Sequence, residues 1–352
     1  MKDTFSSRIF GLDILRSVAI ILVMIEHGKV LFNINVFLPD GVDLFFVLSG
    51  YLIGSILIKS VLNNNEFNFS HLKVFVMRRW FRTLPNYFLF LLINILLVHF
   101  DLIKGTINKY IVTYFGFFQN FHKPYDFLFW ESWSLSVEEW FYLFFPVLIL
   151  IFFQLNSLVS LKHKFLIITL LFIILPLIYR ICHYQENLDF DLFFRKLVLT
   201  RLDTIGFGIL GAYLFHFYNR FWLKNKNIYF ILSVGLLVFV NSVAYKNDFF
   251  YKTFYFTLTG LFILFLIPKL ISFKNEKIKF KPFRFISKIS YSMYLSHLII
   301  LQLISKLFSP FDSNEKILVY VIYWIITIFV SYIFYNYYEK PFIRLRDKIY
   351  NR

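Results

Sequence analysis

An acid, a guanidinium and an imidazole lie along one apolar segment near the start of the chain, GLDILRSVAIILVMIEHG. Arg16 and His27 are eleven residues apart. On a helix that spacing returns to within about 20° of the same direction, about 16.5 Å further along the axis. Asp13 sits one turn before Arg16 on nearly the same side, and Glu26 faces about 100° away from His27. An imidazole titrates near neutrality and can take a proton from a hydroxyl. A guanidinium can hold a phosphate or a developing negative charge. The bland alternative is a helix that begins late, with Asp13 and Arg16 at the interface and His27 among the headgroups.

A second cluster, Arg78, Arg79 and Arg82, stands in VMRRWFRTLPNYF. Arg79 and Arg82 share a helix face at i, i+3, and the planar fork of arginine suits phosphate. Any single arginine there reads as a charge anchor that touches anionic lipid; three packed with Trp80 and followed by Pro85 weaken that account. In ESWSLSVEEWFYLFFPVL, Ser134 and Glu138 share a face, with Ser136 and Glu139 beside them. Carboxylates at a helix start can also simply complement the dipole. In LTRLDTIGFGILGAYL, Arg201 and Asp203 can pair, which would make them structural. Gly206, Gly208 and Gly211 spell a dinucleotide motif, but no strand precedes it, so these small residues read as a close helix contact. ISYSMYLSHLII puts Ser290, Tyr291, Ser292, Tyr294, Ser296 and His297 in one span, and Glu339 precedes Lys340 and Pro341 near the end.

These residues need a scaffold, and the composition says which. Of 352 residues, 59% are hydrophobic and 22% aromatic, while only 16% are charged. That excludes a soluble globular, a disordered and a collagen-like chain. What fits is an all-α, polytopic integral membrane protein. The net charge of +16 reads as basic residues retained on one side of the membrane, with lipids as partners and no nucleic acid. Cys182 is the single cysteine, so neither an internal disulfide nor a cysteine metal cluster is available, and no metal is expected. The first apolar stretch carries Arg16, Glu26 and His27, unlike a cleavable signal peptide.

Ten apolar runs are long enough to span, near 9-32, 41-62, 83-101, 133-154, 165-183, 198-217, 228-245, 250-271, 285-307 and 316-338. The aromatic stretch 106-121 reads as interfacial or re-entrant. With both termini inside, 24 of the 37 Lys and Arg fall on inner segments and 11 on outer ones. The bias favours that N-in, C-in arrangement. One membrane domain, 1-352, is expected.

Taken in order, these segments resemble the acyltransferase 3 family of integral-membrane O-acyltransferases. The resemblance rests on GLDILRSVAIILVMIEH with Arg16 and His27, on GVDLFFVLSGYLIGS with Asp43, and on RRWFR with Arg79 and Arg82. It continues through WSLSVEEWFYLFFPVL, TRLDTIGFGILGAYL, ISYSMYLSH and the terminal EKPF, nearly the whole chain. Two departures are Glu26 before the first histidine and Ser296 before His297, where apolar or aromatic residues are commoner. Family members often carry a further esterase-like domain, so a chain ending at Arg352 is expected to be a stand-alone form. The resemblance implies transfer of an acyl group, usually acetyl from acetyl-CoA, to a sugar hydroxyl of an envelope glycan or glycosylated metabolite. The setting is a bacterial inner membrane. His27 is then expected as general base, with Glu138 as first and Glu26 as second choice for its carboxylate partner. Arg79, Arg82, Arg78 and Arg201 are expected near the CoA phosphates, and Arg16 on the donor or the thioester oxygen. Asp13, Asp43, Ser136, Asp203, Ser292 and His297 are expected along the acceptor path. A transporter or exporter is the rival class, but it calls for broken helices in two corresponding repeats, which the sequence lacks.

Overall fold

The computed structural model describes residues 9–32, 39–64, 66–124, 127–155, 159–243, 246–273, 281–308 and 313–350, and every regular element among them is helical. The chain runs through α1 (Phe10–Gly28), α2 (Gly41–Asn64), α3 (Phe69–His99), α4 (Val112–Phe115), α5 (Ser132–Gln154), α6 (Leu161–Cys182) and α7 (Leu202–Phe217). It continues through α8 (Asn219–Lys224), α9 (Lys226–Val243), α10 (Asp248–Thr253), α11 (Tyr255–Ile271), α12 (Lys281–Phe308), α13 (Ser313–Phe334) and α14 (Lys340–Tyr350).

Over its described residues each of the ten apolar runs lies mainly in helix, but the run 250-271 is divided between α10 and α11. Seven helical stretches among the described residues are long and apolar enough to cross a membrane: α2, α3, α5, α6, α9, α12 and Glu315–Tyr350, which continues from α13 into α14. Two further apolar helices, α7 and α11, are shorter, with 16 and 17 residues. The helix α1 is 19 residues long and carries Asp13, Arg16 and Glu26 within it. Residues 106–121 form only a 3-10 turn, Lys109–Ile111, and the four-residue α4, too short to cross. The start of α3 is set by a reciprocal cap, in which the Asn68 side chain accepts from the His71 amide and the His71 ring accepts from the Asn68 amide.

At the centre of the bundle α2 packs on α7 with backbones almost in contact. A Cβ added to Gly50 would stand 2.0 Å from the Ile205 carbonyl oxygen, and one on Gly208 would stand 2.1 Å from that of Val47. Only glycine admits this approach, which is how small residues join helices where water cannot drive association.

Two fully buried ion pairs fix the same region. Arg201, at the start of α7, binds Asp43 of α2. Arg180, near the end of α6, binds Asp203 of α7 at 2.6 Å. Thr257 of α11 donates to the same Asp203 oxygen at 2.7 Å, and the Arg180 Nε donates to the Thr253 carbonyl at 2.8 Å. The expected pairing of Arg201 with Asp203 is therefore corrected. Each binds a partner on another helix, because positions two apart on a helix point about 200° apart, whereas facing helices bring opposite charges together.

Breaking a buried pair strands one charge, at a cost of about 3–5 kcal/mol. Arg201→Met should therefore lower the melting temperature of the purified protein sharply. Adding Asp43→Asn in the same chain should recover part of the loss, since the stranded carboxylate is then gone. A double variant no more stable than Arg201→Met alone would contradict this account.

Candidate active site

Two cavities open at different levels along α1. The first, of about 110 Å³, is walled by Arg16, Ser49, Arg79, Arg82, Glu138, Tyr142 and Tyr291 among others. The second, of about 830 Å³, is walled by His27, Trp130, Glu131, Trp133, Arg195, Lys196 and Gln302 among others. Arg16 and His27 thus mark the two levels, about three helical turns apart.

The smaller cavity gathers three of the predicted arginines. Arg16 lies 3.8 Å from Asp13 and donates to Ser287 of α12 at 3.5 Å. Arg79 stands over the Phe75 and Tyr142 rings at 5.9 and 6.0 Å. Glu138 sits against Ser49 and Tyr142, whose hydroxyls are 2.6 Å apart. Three guanidiniums converging beside one carboxylate suit a polyanion such as a phosphorylated donor.

In the larger cavity the imidazole of His27 meets a second imidazole. His297 Nε2 is 3.1 Å from His27 Nδ1. His297 Nδ1 is 2.6 Å from the Tyr294 carbonyl oxygen, which can only accept. In the neutral ring Nδ1 therefore carries the proton and Nε2 accepts. His27 Nδ1 must then donate, and it also lies 3.0 Å from the Val23 carbonyl. That leaves Nε2 of His27 as the bare nitrogen, the state a general base requires.

The rim of this cavity is a charge chain outside the spanning helices. Arg195 bonds Asp40 at 2.9 Å and Asp191 at 2.8 Å, and Lys196 bonds Asp191 at 2.6 Å. Burial alone would weaken the Arg195 charge, but Asp40 and Asp191 hold its pKa above the ordinary value. Burial would likewise raise the Asp40 carboxyl, yet Arg195 and Arg201 keep it below the usual range. Arg195 stands 5.0 Å over the Trp133 ring. Tryptophans edged by arginine, lysine and carboxylates offer stacking faces and hydrogen bonds to a hydroxylated ligand.

Several expected residues stand elsewhere. Glu138 lines the smaller cavity, so it is not the partner of His27; His297 is. Glu26 bonds Lys29 at 2.5 Å on a part-exposed surface and walls neither cavity. Arg78 walls neither cavity, unlike Arg79 and Arg82. Asp13 accepts from Ser287 at 2.9 Å and ties α1 to α12. Ser136 donates at 2.6 Å to the carbonyl of Phe117, a residue held at φ 60°. Ser292 donates to Glu339 at 2.9 Å, which Asn86 also approaches at 3.3 Å. Arg201, Asp43 and Asp203 belong to the buried ion pairs and wall neither cavity. Their ion pairs join α2, α6 and α7.

A family model described as an acyltransferase domain matches residues 9–336. The chain belongs to the acyltransferase 3 family. A Staphylococcus aureus protein named "Putative O-acetyltransferase SACOL0978" is 30% identical over 94% of this chain and 57% of its own length. The peptidoglycan O-acetyltransferase OatA of Listeria monocytogenes is 27% identical over 82% of this chain and 48% of its own. The O-acetyltransferase OatA of Staphylococcus aureus is 28% identical over 94% and 56%. The chain thus spans about half the length of the relatives it matches. No solved structure matches it.

Sequence reasoning about this acyltransferase 3 chain missed Asp40, Glu131, Arg195 and Tyr294 as site residues. Arg195 carried a usable signal, since Asp191, Arg195 and Lys196 crowd one short loop between apolar runs. Tyr294 carried none beyond its place three residues before His297.

Proposed function

We propose that the protein is a membrane O-acyltransferase that moves an acyl group, acetyl by preference, from acyl-CoA to a sugar hydroxyl of an envelope polysaccharide. The observation that carries this reading is the pair of cavities, one ringed by arginines and one holding a bare imidazole nitrogen. The relatives' names, O-acetyltransferase in each case, support the acyl group and the hydroxyl acceptor.

The arginine cavity takes the donor. Arg79, Arg82 and Arg16 hold the CoA phosphates by charge-assisted hydrogen bonds. The phosphates stay at the arginines, and the slender pantetheine arm carries the thioester onward. The larger cavity takes the acceptor, and its 830 Å³ falls within the range of about 300–1,000 Å³ usual for ligand sites. The acceptor hydroxyl gives its proton to His27 Nε2 while its oxygen attacks the thioester carbon. A C–O bond forms, the C–S bond breaks, and the proton passes from His27 to the CoA sulfur. His297 positions the His27 ring and fixes which nitrogen is bare. Direct transfer of this kind needs no covalent acyl-enzyme. The basic bias of the inner segments supports an N-in, C-in chain in a bacterial inner membrane, with donor inside and acceptor outside.

His27→Ala should abolish transfer, by at least the roughly 10²–10⁴-fold that a general base contributes, while the protein still accumulates in membranes. Mass spectrometry of envelope glycans from cells with and without the intact gene reads the acyl mark directly, and an active, folded His27→Ala protein would remove the base. Arg79→Ala should raise KM for acetyl-CoA with a smaller effect on kcat, as measured by release of free CoA; unchanged donor affinity would return this arginine to an anchoring role. His297→Ala should behave oppositely, lowering kcat while KM for the donor holds. Equal loss in both constants would speak against positioning.

A further inference from the structure

Among the described residues, two side chains wall both cavities: Val42 of α2 and Tyr294 of α12. The phenol of Tyr294 lies between the arginine cavity and the His27 cavity, and it is tied on both sides. Its hydroxyl donates to the Glu131 carbonyl at 3.0 Å and lies 2.6 Å from the Ser134 hydroxyl. The Ser134 hydroxyl itself lies 3.3 Å from the same carbonyl, so phenol, serine and carbonyl form one closed cluster. Glu131 walls the larger cavity and Ser134 the smaller one. The two bonds therefore pin the ring across the boundary at the start of α5.

We infer that Tyr294 is a gate between the two cavities, latched shut by Ser134 and Glu131, which swings aside to admit the pantetheine arm of the donor. The inference rests on the acyltransferase reading above for the identity of what passes, but the gate is a physical claim of its own. A latch of two hydrogen bonds is strong enough to hold a ring in place where water is scarce, yet weak enough to open, since each is worth about tenfold in population. The opposite wall is the small side chain of Val42, with Phe45 meeting the Tyr294 ring edge-on at 6.3 Å. The tyrosine is also coupled to the base, because its carbonyl accepts from His297, which in turn meets His27. A shut gate keeps water of the acceptor side off the thioester until the arm has entered. Without it, water can take the place of the sugar hydroxyl: its oxygen bonds the acyl carbon, the C–S bond breaks, and free acid and CoA thiol are released.

The test places one cysteine at Leu48, which walls the smaller cavity, in a chain whose exposed Cys182 is replaced by serine. Full-length protein in sealed vesicles is treated with a membrane-impermeant maleimide from either face. With Tyr294 intact, the Leu48→Cys thiol should react from the face carrying Arg79 and be protected from the face carrying Arg195. Tyr294→Phe keeps the ring and loses both bonds of the latch, so labelling from the Arg195 face should rise about a hundredfold; Tyr294→Ala should raise it further. Tyr294→Phe should also raise acetyl-CoA hydrolysis in the absence of acceptor. Equal labelling rates from the Arg195 face in the tyrosine and phenylalanine proteins would overturn the gate, even if Tyr294→Ala failed to fold. Absence of acyl transfer by the intact protein would overturn the proposed function instead, and the labelling arm would still decide the gate.

Discussion

Charge has to be neutralised at the packed helix contacts of the bundle, where burial leaves it without solvent. The Arg201–Asp43 and Arg180–Asp203 pairs meet that requirement at the contact of α2, α6 and α7. They sit beside the close backbone approach of α2 and α7 at Gly50 and Gly208. The consequence is a rigid centre whose charges are spent on one another. Elements arranged around it, α1, α3, α5 and α12, carry the charges that face cavities. A buried pair contributes little net stability, because desolvation offsets most of the attraction. Its value here lies in register, since a slip of α7 against α2 would strand Arg201.

That division separates residues of the same type. Arg16, Arg79 and Arg82 wall a cavity and can meet a ligand, whereas Arg180 and Arg201 are fully buried and matched to acids. The same holds for carboxylates. Glu138 faces the cavity beside Arg79, and Asp43 and Asp203 face helices. Which arginine does chemistry is therefore decided by where its partner lies in space, not by the motif around it.

The apolar runs were legible in the sequence because a bilayer demands about twenty apolar residues per span, a constraint local to each run. The common face of Arg16 and His27 was legible for the same reason, since helical periodicity alone sets it. The pairings were not. Arg201 and Asp43 are 158 positions apart, and His27 and His297 are 270 apart. Glu138 was named before Glu26 as the carboxylate partner of His27, a choice that the sequence left open, and the packing of α5 puts its carboxyl in the other cavity. Ser136 and Ser292 looked like ligand donors because hydroxyls in apolar helices are conspicuous, but each instead satisfies a buried acceptor, the Phe117 carbonyl and Glu339.

Separating the two cavities solves a chemical problem that a single open site would not. A thioester is hydrolysed by the same base that activates a sugar hydroxyl, and water greatly outnumbers the sugar. Specificity for the hydroxyl then depends on when the thioester meets the base. In the proposed reaction, a donor held by its phosphates at Arg79 and Arg82 keeps its reactive end about three helical turns from His27 until the arm advances. The proposed advance would expose the thioester only inside the larger cavity, where Trp130, Trp133 and the Asp40–Arg195–Asp191 chain can hold a sugar in the place of water. The imidazole pair suits this timing, because His297 orients the His27 ring and leaves its Nε2 bare without a carboxylate beside it. The arrangement that positions the base and the arrangement that divides the cavities meet in one residue, Tyr294, whose carbonyl serves the first and whose hydroxyl serves the second.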